Sequence, residues 1–234
     1  MELKQNNTSS AGEAASKVFP FESENFTAIE YSDAIQLNGS KKIRVKGLAE
    51  KFAAINGYFL EYLREYHIPT AFHKIHNKVI IKQVKFNLLG FNIKIANVAD
   101  KRTAKLFPTK ESEPLSLPIF EYHLNGEKDS LITESHLIAF DLCSYDDIKL
   151  MGRICSKVNA VLKAYFERRG ETLAEFVCIF GKVDNKLFVV DDFTPLSIKL
   201  LPSPKNFKAV NPFKLSTPND IKKYTDHLFQ LISS

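Results

Sequence analysis

Between Ser144 and Gly170 the chain admits little other than a helix. Ser144 with Asp147 three residues on is a capping-box signature, and Ile148, Met151, Ile154, Val158, Val161, Leu162, Tyr165 and Phe166 then mark one face until Gly170 stops it. A second helix is predicted over 47–66, where Leu48, Phe52, Ile55, Phe59, Leu60 and Leu63 recur at helical spacing and Pro69 follows as a stop. A third closes the chain over 219–232, with Ile221, Tyr224, Leu228 and Leu231 inward. Elsewhere the period changes. Phe19, Phe21, Phe26, Ala28, Ile29 and Tyr31 alternate roughly, and with 43–45 they read as a small β-rich lobe in which Asn38-Gly39 is a turn. Residues 79–81 and 86–95 are β-like, with Asn92, Lys94 and Asn97 set between apolar residues as on a groove-facing strand. Residues 109–118 read as a loop, 119–124 as a strand before Asn125-Gly126, and 202–218 as a proline-rich connector. The segments 173–180 and 187–190 flank a turn over 183–186, a hairpin that delivers Asp191 and Asp192 at its end.

At 234 residues and 44% hydrophobic content the chain can bury a real interior. Charged residues are 25%, as in ordinary soluble domains, and no apolar run approaches the roughly 18 residues of a membrane span. Residues 1–11 are polar and aperiodic, without a secretory core, and read as a flexible tail. Three cysteines, an odd count, give no disulfide framework, so a reducing cytoplasm is the expected compartment. A net charge of +5 favours anionic ligands mildly, whereas a nucleic-acid binder would cluster its charge more strongly. Nine glycines leave few glycine-rich loops to cradle phosphate.

The strongest local signal is Asp191-Asp192-Phe193-Thr194-Pro195, because oxygen ligands at a strand end are what a Mg2+ bridging nucleotide phosphates requires. The same pair leading into a turn also suits plain solvation or capping. Lys17, Lys82, Lys94 and Lys199 fall at strand edges or within strands, where an ammonium can meet a phosphate or carboxylate. His73 and His76 would share a face if helical, but no Cys or carboxylate stands at ligand spacing, and surface histidines are the plainer reading. Cys178, inside an apolar strand, reads as a small core residue, and the phenylalanine stripes as packing.

Read in order, Ile68-Pro69-Thr70-Ala71-Phe72, Pro118-Ile119-Phe120-Glu121-Tyr122-His123-Leu124, the run 157–170, Phe180-Gly181 and Val190-Asp191-Asp192-Phe193-Thr194-Pro195 resemble SAICAR synthetase, collinearly from about 13 to 201. The resemblance implies an α+β, two-lobed fold, with an antiparallel-sheet N-terminal lobe over 12–85 and a larger α+β portion over 86–234. It implies a cytoplasmic ligase that uses ATP and Mg2+ to activate a carboxylate on an aminoimidazole ribonucleotide, after which the amine of aspartate displaces phosphate. Its partners would be small anionic substrates, with no nucleic acid or membrane; a homodimer is left open. Such chemistry rests on positioning and charge neutralisation.

Carried over residue by residue, the family's phosphate turn keeps Lys17, the second of its two lysines, and Lys82 matches the first lysine of its Val-Lys-Lys strand. Lys17, Lys82 and Asp191 are then the cofactor residues, with Asp191 the metal ligand. Asp33, Lys46, Lys94, Asp100 and Lys199 form the substrate-binding set, Lys94 and Lys199 standing where the family has arginines and Asp100 where it has serine. Asp129, Asp191 and Lys199 are the catalytic set. Gly90, Val177, Ile179 and Leu196 depart from the family, which places an acid at the first, third and fourth of these and a lysine at the second; the acid at 179 is a metal ligand. Lysine also lacks the bidentate fork of arginine, and a carboxylate at 100 repels phosphate and carboxylate. The expectation is an ATP-dependent carboxylate–amine ligase with altered substrates and weak Mg2+-ATP affinity. The alternative is a non-catalytic descendant serving as a binding or regulatory module.

Overall fold

In the computed structural model, which describes residues 13–21, 23–36, 42–127, 130–191, 193–201 and 210–233, the period-two segments pair into two antiparallel sheets. The first is built from β1 (Glu13–Phe21), β2 (Ser23–Gln36), β3 (Ile43–Arg44), β4 (Phe72–Asn77) and β5 (Ile80–Val84), in the order β1-β2-β5-β4 with β3 on β2. The second holds β6 (Asn87–Val98), β7 (Pro114–Leu124), β8 (Leu131–Ile132), β9 (Thr172–Val183), β10 (Lys186–Asp191) and β11 (Lys199–Leu201), in the order β10-β9-β6-β7-β8 with β11 also on β9. The helices are α1 (Leu48–Glu65), α2 (Lys101–Leu106), α3 (Glu134–Ala139), α4 (Tyr145–Glu167) and α5 (Pro218–Ser233).

Local chemistry accounts for the ends. Ser144 Oγ accepts the Asp147 N–H at 3.1 Å while Asp147 accepts the Ser144 N–H at 3.0 Å, and α4 is released at Gly170, where φ is 74°. Asp184 and Asn185 take φ 46° and 61°, the left-handed pair that a two-residue hairpin between β9 and β10 demands. The apolar faces then merge. One core runs from Ile29 and Ile81 of the first sheet through Phe52 and Phe59 of α1 to Tyr165 and Phe166 of α4, Phe176 and Phe180 of β9, and Tyr224 and Leu228 of α5. Each such side chain stabilises the fold by about 1.5–3 kcal/mol relative to exposure.

The sheets are joined covalently by Lys85 and Phe86, between β5 and β6, and also by hydrogen bonds. Val189 N–H donates to Pro69 C=O at 2.8 Å and Ala71 N–H to Val189 C=O at 3.0 Å, a short parallel bridge at Thr70. Gln83 of β5 adds a bond from Nε2 to Val190 C=O at 2.6 Å.

The structure corrects three expectations. Residues 114–118 belong to β7 and not to a loop, because β6 runs on to Val98 and pairs with Pro114; a register shift at Ala96/Val98 accommodates the irregular, proline-bearing edge. His73 and His76 lie in strand β4, not on a helix, because pairing with β5 takes that segment; their rings pack on Phe26 at 5.0 Å and Phe21 at 4.6 Å. Asn97 does not share a face with Asn92 and Lys94: it is buried against Asn159 of α4, while Asn92 bonds Asn125. Asn38-Gly39 and 1–11 lie outside the described residues. Among the described residues no helix is long and apolar enough to cross a membrane.

Candidate functional site

The β7-β6-β9 order puts β6 inside the second sheet, and its period of two sorts its side chains. Ile93 and Ile95 enter the core shared with α4, while Asn92, Lys94 and Ala96 take the opposite face. Strand register then lays out three rungs on that face. The first reads His123, Asn92, Ile179 and the backbone of Asp191; the second Glu121, Lys94, Val177; the third Ile119, Ala96, Glu175, Lys199.

Charge collects on the second and third rungs. Lys94 Nζ lies 2.6 Å from Glu121, 3.8 Å from Glu175 and 3.8 Å from Asp100. Arg102 of α2 pairs with the other Glu121 oxygen. Lys199, 2% exposed, stands opposite Glu175 and donates to Pro195 C=O at 3.4 Å. His123 Nε2 sits 3.7 Å from Glu121, beyond hydrogen-bond reach, and is buried without a hydrogen-bond partner. The Glu121 carboxyl is held down to about 2 by the His123 imidazole, Lys94 and Arg102 against its own burial. Burial pushes Glu175 up, opposed by Lys94 and Lys199. Burial also works against the Lys94 ammonium, but Glu175, Glu121 and Asp100 outweigh it and raise its pKa.

The same face turns apolar two residues along β9. Val177, Ile179, Val190 and Ala71 form a separate buried cluster with Phe86, Leu88 and Phe188 against it. Phe86 fits because residue 181 is glycine: a Cβ there would meet the ring at 2.6 Å and Val190 at 3.0 Å. The segment after β10 is fixed from α1, with Phe193 N–H donating to Asn56 Oδ1 at 3.0 Å and Thr194 C=O accepting the Ile198 N–H at 2.9 Å.

Of the residues picked from sequence, Lys94, Asp100 and Lys199 are brought into one neighbourhood, though Asp100 also caps α2 by accepting the Thr103 N–H at 2.7 Å. The others are engaged elsewhere. Lys82, 5% exposed on β5, lies over the Phe26 ring at 4.0 Å and near Phe21 at 5.6 Å. Lys17 is exposed on β1, opposite Glu30. Asp33 accepts the Ala49 N–H at 3.1 Å at the start of α1, and Lys46 is exposed just before that helix. Asp129 and Asp192, and the Asp191 side chain, lie outside the described residues. Glu121, Glu175, Arg102 and His123 were missed as site residues; the signal was Glu121 and His123 on alternate positions of 119–124 and a lone Glu175 in an otherwise apolar strand, but only register joins them to Lys94. Among the described residues no three His, Cys, Asp or Glu side chains are placed to hold a metal ion, and the β9 neighbour of Asp191, Ile179, offers no oxygen.

Two antiparallel sheets backed by α1, α4 and α5 are the α+β, two-lobed architecture of solved SAICAR synthetases. That of Pyrococcus horikoshii OT3 superposes with a TM-score of 0.83 at 24% identity, covering 94% of this chain and 97% of that one. A SAICAR synthetase in complex with ADP superposes with a TM-score of 0.83 at 23% identity, covering 97% and 96%. The sequence narrows this further. A model of the SAICAR synthetase family matches residues 11–212, and the phosphoribosylaminoimidazole-succinocarboxamide synthase of Clostridium novyi (strain NT) is 30% identical over 186 residues, 77% of this chain and 78% of that protein. The chain belongs to the SAICAR synthetase family.

Proposed function

We propose that the protein is an ATP-dependent carboxylate–amine ligase of the SAICAR synthetase type, acting on substrates other than the standard pair, with its two lobes meeting at Lys85 and Phe86. The observation that carries this reading is the charged network of Lys94, Glu121, Glu175 and Lys199 on one face of the second sheet. Buried charges are costly and add little to stability over a packed apolar face, so such a network outside the core favours a site of chemistry. Family membership supplies the reaction class, and the ADP held by a structural neighbour supports a nucleotide as the energy source. In this reading Lys17, Lys82 and Asp191 meet the nucleotide, Asp33, Lys46, Lys94, Asp100 and Lys199 face the substrates, and Asp129, Asp191 and Lys199 serve the transfer.

Mg2+ is the weak point of the fit. Val177 and Ile179 bring no side-chain donor to the strand beside Asp191, so affinity for Mg2+-ATP is expected to be low. The same apolar cluster favours the second reading, a non-catalytic member of the family that binds or regulates. ADP release coupled to a spectrophotometric readout separates the cases. The standard aminoimidazole carboxylate and aspartate should give no turnover, while another carboxylate–amine pair should consume ATP. Turnover of the standard pair at an ordinary rate of roughly 1–1,000 s⁻¹ would refute altered substrates. Calorimetry showing no heat with ATP, with or without Mg2+, would leave the non-catalytic reading standing.

A further inference from the structure

Asp100 does two separable things. Its Oδ1 accepts the Thr103 N–H at 2.7 Å and starts α2, while its Oδ2 lies 3.8 Å from Lys94 Nζ. A helix cap needs only an oxygen acceptor, and Asn or Ser supplies one as well as Asp. The negative charge is therefore surplus to the helix, and it is spent on Lys94. There it is the third carboxylate, after Glu121 at 2.6 Å and Glu175 at 3.8 Å. Arg102 matches the second oxygen of Glu121, and Lys199 stands across from Glu175. Among the described residues three acids and three bases thus balance on the face, and Lys94 at its centre is already met by three carboxylates. An anion arriving at Lys94 would meet a cation whose charge three carboxylates already match, so the cost of desolvating it there is repaid by no net attraction.

We propose that this face of the second sheet excludes phosphate and carboxylate groups, that the substrate presents an uncharged hydrogen-bond donor, a hydroxyl or an amide, to Glu121 and Glu175, and that Asp100 is the residue that sets this specificity. The inference rests on reading this face as the substrate site, and it names the class of group that the altered substrate carries there.

The test uses the full chain and two probes, inorganic phosphate and ribose 5-phosphate, titrated by calorimetry at low ionic strength. The unsubstituted protein should give no saturable binding up to about 10 mM, a range that still detects weak complexes. Asp100→Asn keeps the cap and frees one positive charge, so it should bind phosphate at least about tenfold more tightly, and adding Lys94→Gln should abolish the gain. Asp100→Ser, which also caps, repeats the measurement if the asparagine variant folds poorly. Binding of ribose 5-phosphate by the unsubstituted protein that Lys94→Gln removes would overturn the proposal. So would folded Asp100 variants, with an unchanged melting temperature, that bind phosphate no better. Failure of both variants to fold would show that the charge serves the fold and would overturn it too. No ATP enters these titrations, so their outcome is separate from that of the coupled assay, whose silence would count against the ligase reading alone.

Discussion

Asn97 of β6 and Asn159 of α4 give each other two hydrogen bonds, at 2.8 and 2.9 Å, and both are buried. Removing either amide strands the other away from water, so Asn97→Ala or Asn159→Ala should cost about 1–3 kcal/mol, read from the urea midpoint. The double variant should cost less than the sum, since the second truncation removes an orphan instead of making one. Glu121 makes a different prediction, in pH. Its folded carboxyl is held at about 2 against a usual 4.5, so it contributes stability that is present above pH 4.5 and lost as pH falls toward 2. Glu121→Gln should flatten the urea midpoint across that window and lower it at pH 7, where Lys94 and Arg102 lose their shared partner. Neither pairing was visible in the sequence. Asn97 and Asn159 are 62 residues apart, and Glu121 looked like the polar half of an alternating strand.

Elements were far more legible, because their signals are local. The capping box at Ser144, the apolar stripes of α1, α4 and α5, and the Asp184-Asn185 turn each need only a short window of chain. Where a partner strand decides, the window fails: β4 and the start of β7 exist because β5 and β6 offer edges to pair with. The rungs that assemble Lys94, Glu121 and Glu175 fail to show for the same reason, since register is fixed by the whole sheet. Gly181 gives the element-scale prediction. Phe86, just past the end of β5, rests on the β9 backbone at that glycine, so Gly181→Ala forces a Cβ to within 2.6 Å of its ring. The expected cost is about 1–3 kcal/mol, or a melting temperature lowered by several degrees. Phe86→Leu in the same chain should recover part of it by giving the methyl room.

Across the whole molecule, α5 holds the edge of the second sheet and packs on α1 beside the first. Its Tyr224 hydroxyl accepts the Leu200 N–H at 2.9 Å and donates to Ile198 C=O at 3.0 Å, deep in the core. Tyr224→Phe keeps the ring and leaves both backbone groups unpaired, so a loss of about 1–3 kcal/mol is expected by thermal unfolding, with no change of fold. The family and its two-lobed architecture were legible from collinear motifs in the sequence. The state of the site was less so, because the sequence gives residue types at 94, 100 and 199 but not how their charges are already matched. The backbone stitch between Pro69, Ala71 and Val189 carries a consequence in time. Any swing of one sheet away from the other must first break both of those bonds and the Gln83 contact. The Ala71 and Val189 amides should therefore exchange their protons with solvent far more slowly than their places near a lobe boundary suggest, and their exchange rate would clock how often the two sheets part.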